Sequence, residues 1–173
     1  MKRNVMIIVV IALFAAVAAF TLKLTGNADR TGAGSLDNAA DAGETVEAAL
    51  NENGDIVIPL DQITETASFY TYNELDSKME IIAVKASDGT IRTAFNTCQV
   101  CYSSGKGYYK LEDGLLTCQN CGNQFAMDQV EVTKGGCNPV PITDEYKVTD
   151  NEKVTIPKEF LEEAQVIFDN WKV

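Results

Sequence analysis

An apolar run opens the chain, from Val5 to Leu22, with no charged residue in it. Eighteen residues make a helix of about 27 Å at about 1.5 Å per residue, near the hydrocarbon thickness of a bilayer, about 30 Å. Lys2 and Arg3 precede it, so the positive-inside rule leaves Met1 in the cytoplasm and Leu24 onward outside. Residues 1–24 are therefore expected to be one N-terminal transmembrane helix, a single-pass anchor in the cell membrane that presents an extracytoplasmic domain. The competing expectation is a cleavable signal peptide, with Ala16-Val17-Ala18 as its small-residue cleavage site. Residues 25–53 lose the apolar pattern. They contain no aromatic residue, six acids and the single base Arg30, so they are expected to be a flexible acidic linker, with at most a weak helix over 39–50.

From Gly54 the period changes to that of strands. Asp55–Leu60, Ser68–Tyr72, Met79–Lys85 and Ile91–Phe95 are β-branched and aromatic runs, and Asp88-Gly89 marks a hairpin turn. Tyr108–Leu111 and Leu115–Thr117 flank a second turn signal, Asp113-Gly114. Val130–Thr133, Glu145–Val148 and Lys153–Ile156 are shorter candidates. Pro157 is placed to open a helix, and Phe160, Leu161, Ala164, Ile167, Phe168 and Trp171 recur at helical spacing. The expectation for 54–173 is a mainly β domain, a small barrel or sandwich, closed by a C-terminal α-helix whose stripe, Trp171 included, packs on the sheet.

Composition narrows the chemistry. The 173 residues include no His and carry a formal charge of −11. Absence of His excludes Ser-His-Asp and Cys-His catalysis and every His-ligated metal site. The acidic balance argues against nucleic acid as a partner. No pair of carboxylates is arranged for acid–base work, so no enzymatic activity is expected.

What remains is cysteine. Cys98 and Cys101 form one C-x2-C pair, and Cys118 and Cys121 form a second, 16 residues further on. Two such turns face to face complete a tetrahedral four-sulfur site, suited to zinc, iron or Cu(I). Structural disulfides, in an oxidising compartment, and a thiol–disulfide exchanger are the other readings of the same residues. Cys137, in Gly135-Gly-Cys-Asn-Pro139, is expected at or beside the site as an auxiliary, cofactor-binding residue. Tyr102, Tyr108, Tyr109 and Phe125 are expected to screen it from water.

The stretches Ser87–Tyr102, Gly105-Lys-Gly-Tyr108, Cys118-Gln-Asn-Cys-Gly122 with Phe125, and Gly135–Ile142 resemble the FtrD-like family of membrane iron–sulfur proteins, over about Gly54 to Trp171. The resemblance implies membrane attachment, an iron–sulfur cluster or other metal, and, in some members, service to ferrous iron uptake through electron handling. A membrane iron-transport or redox complex is the partner it implies. Many members carry several membrane spans where this sequence shows one apolar run. The order of Asp88-Gly89, the cysteine pairs, Phe125 and the Gly135–Pro141 loop is also similar to Rieske domains, with Cys101 and Cys121 where those have His. A [2Fe–2S] centre with four thiolates has a much lower potential than a Rieske centre. The alternative function is a zinc-stabilised structural or interaction module without redox activity.

Overall fold

Met79–Lys85 (β5) lies at the middle of the domain, and six of its seven residues are buried. A strand covered on one face alternates; one covered on both reads as continuous apolar sequence. In the computed structural model, which describes residues 43–173, β5 is the central strand of a five-stranded sheet. Its neighbours are Ser68–Tyr72 (β4) and Ile91–Cys98 (β6), both antiparallel to it. Thr45–Glu47 (β1) joins β4 in parallel, and Pro139–Pro141 (β10) joins the far edge of β6.

Alternate residues of this sheet feed two cores. Tyr70, Tyr72, Met79, Ile81, Ala83 and Phe95 point to one face. A four-stranded sheet covers them: Ala49–Leu50 (β2), Ile56–Pro59 (β3), Val148–Thr149 (β11) and Lys153–Ile156 (β12), in the order β11-β12-β3-β2. The helix Lys158–Ala164 (α1), continued by a 3-10 turn over Gln165–Phe168, adds Leu161 and Phe168 to the same core. The amide of Lys158 is capped from a distance by Asp55 Oδ1 at 3.0 Å. On the other face, Phe69, Ile82, Val84, Ala94 and Cys98 meet a three-stranded sheet. Its strands are Tyr109–Glu112 (β7), Leu115–Cys118 (β8) and Gln124–Phe125 (β9), in that order.

Several expectations are corrected here. The sheets are layered and form no closed barrel among the described residues. The end of the stretch read as a spacer enters the fold: β1 and β2 lie within it, held by partners on β4 and β3 rather than by their own composition. Val130–Thr133 is not a strand. Glu131 adopts φ +67° and its carboxylate accepts from the Thr93 amide (2.9 Å) and from buried Lys147 (2.5 Å), so the segment is fixed by a side-chain clamp. Of Glu145–Val148, only Val148 is in a strand. Trp171 packs on Phe168 and donates from Nε1 to the Asn96 carbonyl at 2.7 Å. The transmembrane helix expected over Val5–Leu22, and the first part of the linker, lie outside the described residues. No helix among the described residues is long and apolar enough to cross a membrane.

Candidate metal centre

β6 ends at Cys98, where the chain turns sharply. The Cys98 sulfur accepts the amide of Cys101 at 3.2 Å and that of Val100, so the turn wraps its backbone donors around the sulfur. The second pair repeats the device. Cys118 ends β8, and its sulfur takes the amides of Asn120 and Cys121. Gly122 follows at φ +74°, a left-handed position suited to glycine, and its amide closes the turn on the Cys118 carbonyl at 2.8 Å. Donors aimed at sulfur stabilise thiolate, the form that binds metal.

The two turns meet because β7 leaves the first and pairs with β8, which enters the second. Tyr109 lies opposite Cys118 in that ladder. Asn96, buried in β6, fixes β7 against β6: its Oδ1 accepts the Tyr109 amide at 2.7 Å and its Nδ2 donates to the Tyr109 carbonyl at 3.1 Å. Nδ2 also donates to buried Glu80 at 2.5 Å, and Glu80 pairs with Lys172 at 3.0 Å. Sequence reasoning missed Asn96 and Glu80. Their one signal is a polar side chain inside an apolar strand.

Cys137 arrives from a third direction. Pro139 pairs with Cys98 across β10 and β6, with a bulge beside it. Gly135 and Gly136 take φ of +81° and +78° and turn the chain back over the first cysteine loop, where Gln99 accepts the Gly135 amide at 3.3 Å and donates to the Pro139 carbonyl at 3.3 Å. The Tyr109 hydroxyl donates to the Cys137 carbonyl at 3.0 Å.

The result is five sulfurs in one place. Cys137 Sγ lies 2.8 Å from Cys121 Sγ, 3.2 Å from Cys98 Sγ and 3.9 Å from Cys101 Sγ. The sulfurs of Cys98, Cys101, Cys118 and Cys137 all lie within 4.8 Å of one another. Cys98 and Cys118 are buried, Cys101 and Cys137 half-buried, and Cys121 exposed. Of the aromatic residues expected to screen the site, Tyr109 and Phe125 do so, edge to face at 5.8 Å and packed in the core that contains Cys98 and Cys118. Tyr102 is exposed, and Tyr108 faces Trp171 instead.

The thiols differ in acidity. Burial pushes Cys98 up, but the Tyr109 hydroxyl and the Cys101 and Val100 amides outweigh it, so its pKa falls below the usual thiol value. The Cys137 thiol, then the Asn123 amide, lower that of Cys121. Burial raises Cys101 to about 11 and raises Cys118 and Cys137 as well. The three loops, residues 98–107, 117–126 and 132–142, contain Lys106 and Lys134 and no carboxylate. Thiolates packed this closely repel one another, and a cation among them relieves that repulsion.

Sulfur-only donors with amides turned toward them define a class, a thiolate metal centre on a layered β scaffold. The donor set fits an iron–sulfur centre, which cysteine thiolates hold. The four sulfurs that lie within 4.8 Å of one another are also close enough to share one ion, since a four-sulfur tetrahedron with bonds of about 2.3 Å has edges of about 3.8 Å. The chain belongs to the FtrD-like family, described as membrane iron–sulfur containing proteins, whose family model matches residues 63–168. Comparisons with curated proteins and with solved structures returned no match.

Proposed function

We propose that the protein is a membrane-anchored, extracytoplasmic iron–sulfur protein that transfers electrons or handles iron and catalyses no reaction of its own. The observation that carries this reading is the convergence of all five cysteines, with Cys137 Sγ within 3.9 Å of sulfurs from both C-x2-C pairs. Cys98, Cys101, Cys118 and Cys121 are the ligands that the paired spacing supplies, and Cys137 stands beside them as an auxiliary thiol. Thiolate-held iron supplies one-electron chemistry at low potential. The protein's part is to hold the sulfurs, aim amides at them and keep water from the inner pair with Tyr109 and Phe125. The acid-free loops favour a charge-balanced centre over one crowded by further negative charge.

The anchor is the apolar run Val5–Leu22, oriented by Lys2 and Arg3, and the partner is a membrane redox or iron-transport complex. Two experiments test these claims. Anaerobic titration with a low-potential reductant should bleach a visible band and develop an electron-spin signal, both reversed on reoxidation; a spectrum that ignores the reductant contradicts the electron-transfer role and favours a zinc-held structural module. External protease on intact cells or spheroplasts should remove the domain, whereas cleavage only after lysis contradicts the orientation.

A further inference from the structure

Four sulfurs satisfy a tetrahedral centre, and this domain brings five together. The surplus is not symmetrical. Cys137 sits among the others, touching Cys98 and Cys101 of the first pair, and Cys118 and Cys121 of the second. It is anchored by the Tyr109 hydroxyl on its carbonyl and by the Asn138 side chain, which closes the loop on the Gly135 carbonyl. Cys121 is the outermost. It is the one exposed cysteine, and it stands at the tip of the loop between β8 and β9. A Cβ built at the neighbouring Gly122 would meet nothing within 4 Å. The anchored thiol and the exposed thiol are also in the shortest sulfur–sulfur contact of the site, 2.8 Å.

We propose that Cys137 and Cys121 are alternative occupants of one ligand position: the exposed Cys121 is the ligand that leaves to admit a partner's donor, and Cys137 is the reserve that returns the centre to four sulfurs with Cys98, Cys101 and Cys118. The proposal rests on the metal-centre reading above and selects the residue through which that centre communicates. The exchange changes no oxidation state. Cys137 gives up its thiol proton as it takes the position and Cys121 accepts one as it leaves, so charge and protons balance across the 2.8 Å contact. A buried set of four with no spare would have to break open for a partner to reach the metal. A fifth thiol on an open loop removes that need.

The test uses the full chain, metal-loaded, with Cys121→Ser, Cys137→Ser and Cys118→Ser beside the wild type. Three quantities are read: metal per chain, visible spectrum, and the rate of Fe(II) loss to bathophenanthroline disulfonate after reduction. Cys121→Ser should still bind metal, with Cys137 as the fourth sulfur, and release iron about tenfold more slowly, because the chelator then has to displace an inner thiol. Cys137→Ser should bind metal and release it faster, with an altered spectrum. Cys118→Ser should lose the metal. Since Cys121 is exposed, its serine variant is expected to melt as the wild type does when both are metal-free, which controls for misfolding. A Cys121→Ser variant as metal-poor as Cys118→Ser, or release rates equal in wild type and both exchange variants, overturns the proposal. A wild-type chain that holds no metal overturns the metal-centre reading instead.

Discussion

Replacing Cys98 by serine should empty the centre and destabilise the domain together. Cys98 is fully buried in the core shared with Ile82, Val84, Tyr109 and Leu116, and it accepts amides from its own turn. Serine oxygen is a harder, poorer ligand for a soft thiolate-preferring ion, and it leaves the remaining sulfurs without their cation. Metal binding is linked to folding, because a ligand bound only by the native state stabilises it by about 4 kcal/mol at a thousandfold excess over its dissociation constant. The expected loss is therefore of that order in metal-replete buffer, with metal content near zero. Chemical unfolding with and without chelator checks it. Equal midpoints for wild type and variant in both conditions would show that the centre contributes nothing to the fold.

The second large effect needs no change to a cysteine. Gly107 joins the first cysteine turn to β7, and its carbonyl accepts the Cys98 amide at 2.7 Å. A methyl group there would collide with the carbonyl of Cys101 and lie 2.8 Å from the Tyr102 nitrogen. These are backbone atoms that no rotamer change can move aside. Gly107→Ala should thus displace Cys101 and lower metal affinity by one to two orders of magnitude, comparable to the 10- to 100-fold that loss of ligand support costs elsewhere. Gly114→Ala is the control: its Cβ would meet nothing within 4 Å, although its φ of +72° carries a backbone cost of its own. Metal titration of the two variants separates the effects. Equal affinities in both would show that the approach at Gly107 is not what holds the turn.

Much of this was legible in the sequence because local signals agreed with the fold. Ser68–Tyr72, Met79–Lys85 and Lys153–Ile156 form strands with the bounds their β-branched and aromatic runs predict. Asp88-Gly89 and Asp113-Gly114 are turns, the second with φ of +52° and +72°. Asp88 acts within its turn, where its carboxylate accepts from Thr90 and Arg92. The gathering of the cysteines was legible from paired C-x2-C spacing, since that pattern has a physical use. What could not be read was set at long range. β1 is a three-residue segment made into a strand by β4, 24 residues away, and β2 is only Ala49–Leu50, too short to signal a strand before it pairs with β3. The Val130–Thr133 run has strand composition, but the contacts of Glu131 with Lys147 and Thr93 win over propensity. The exposure of Cys121 and the inward place of Cys137 could not be read from spacing, because β10 carries Cys137 to Cys98. Asn96 organises the site from a strand interior, where only its neighbours reveal what it holds.

The most direct measurement is the metal content and visible spectrum of the full chain, purified without oxygen from cells that make it naturally. The expected result is stoichiometric iron with the thiolate-to-iron absorption that colours such proteins, lost together on Cys98→Ser. A colourless protein, holding zinc or no metal at all, would contradict the central claim.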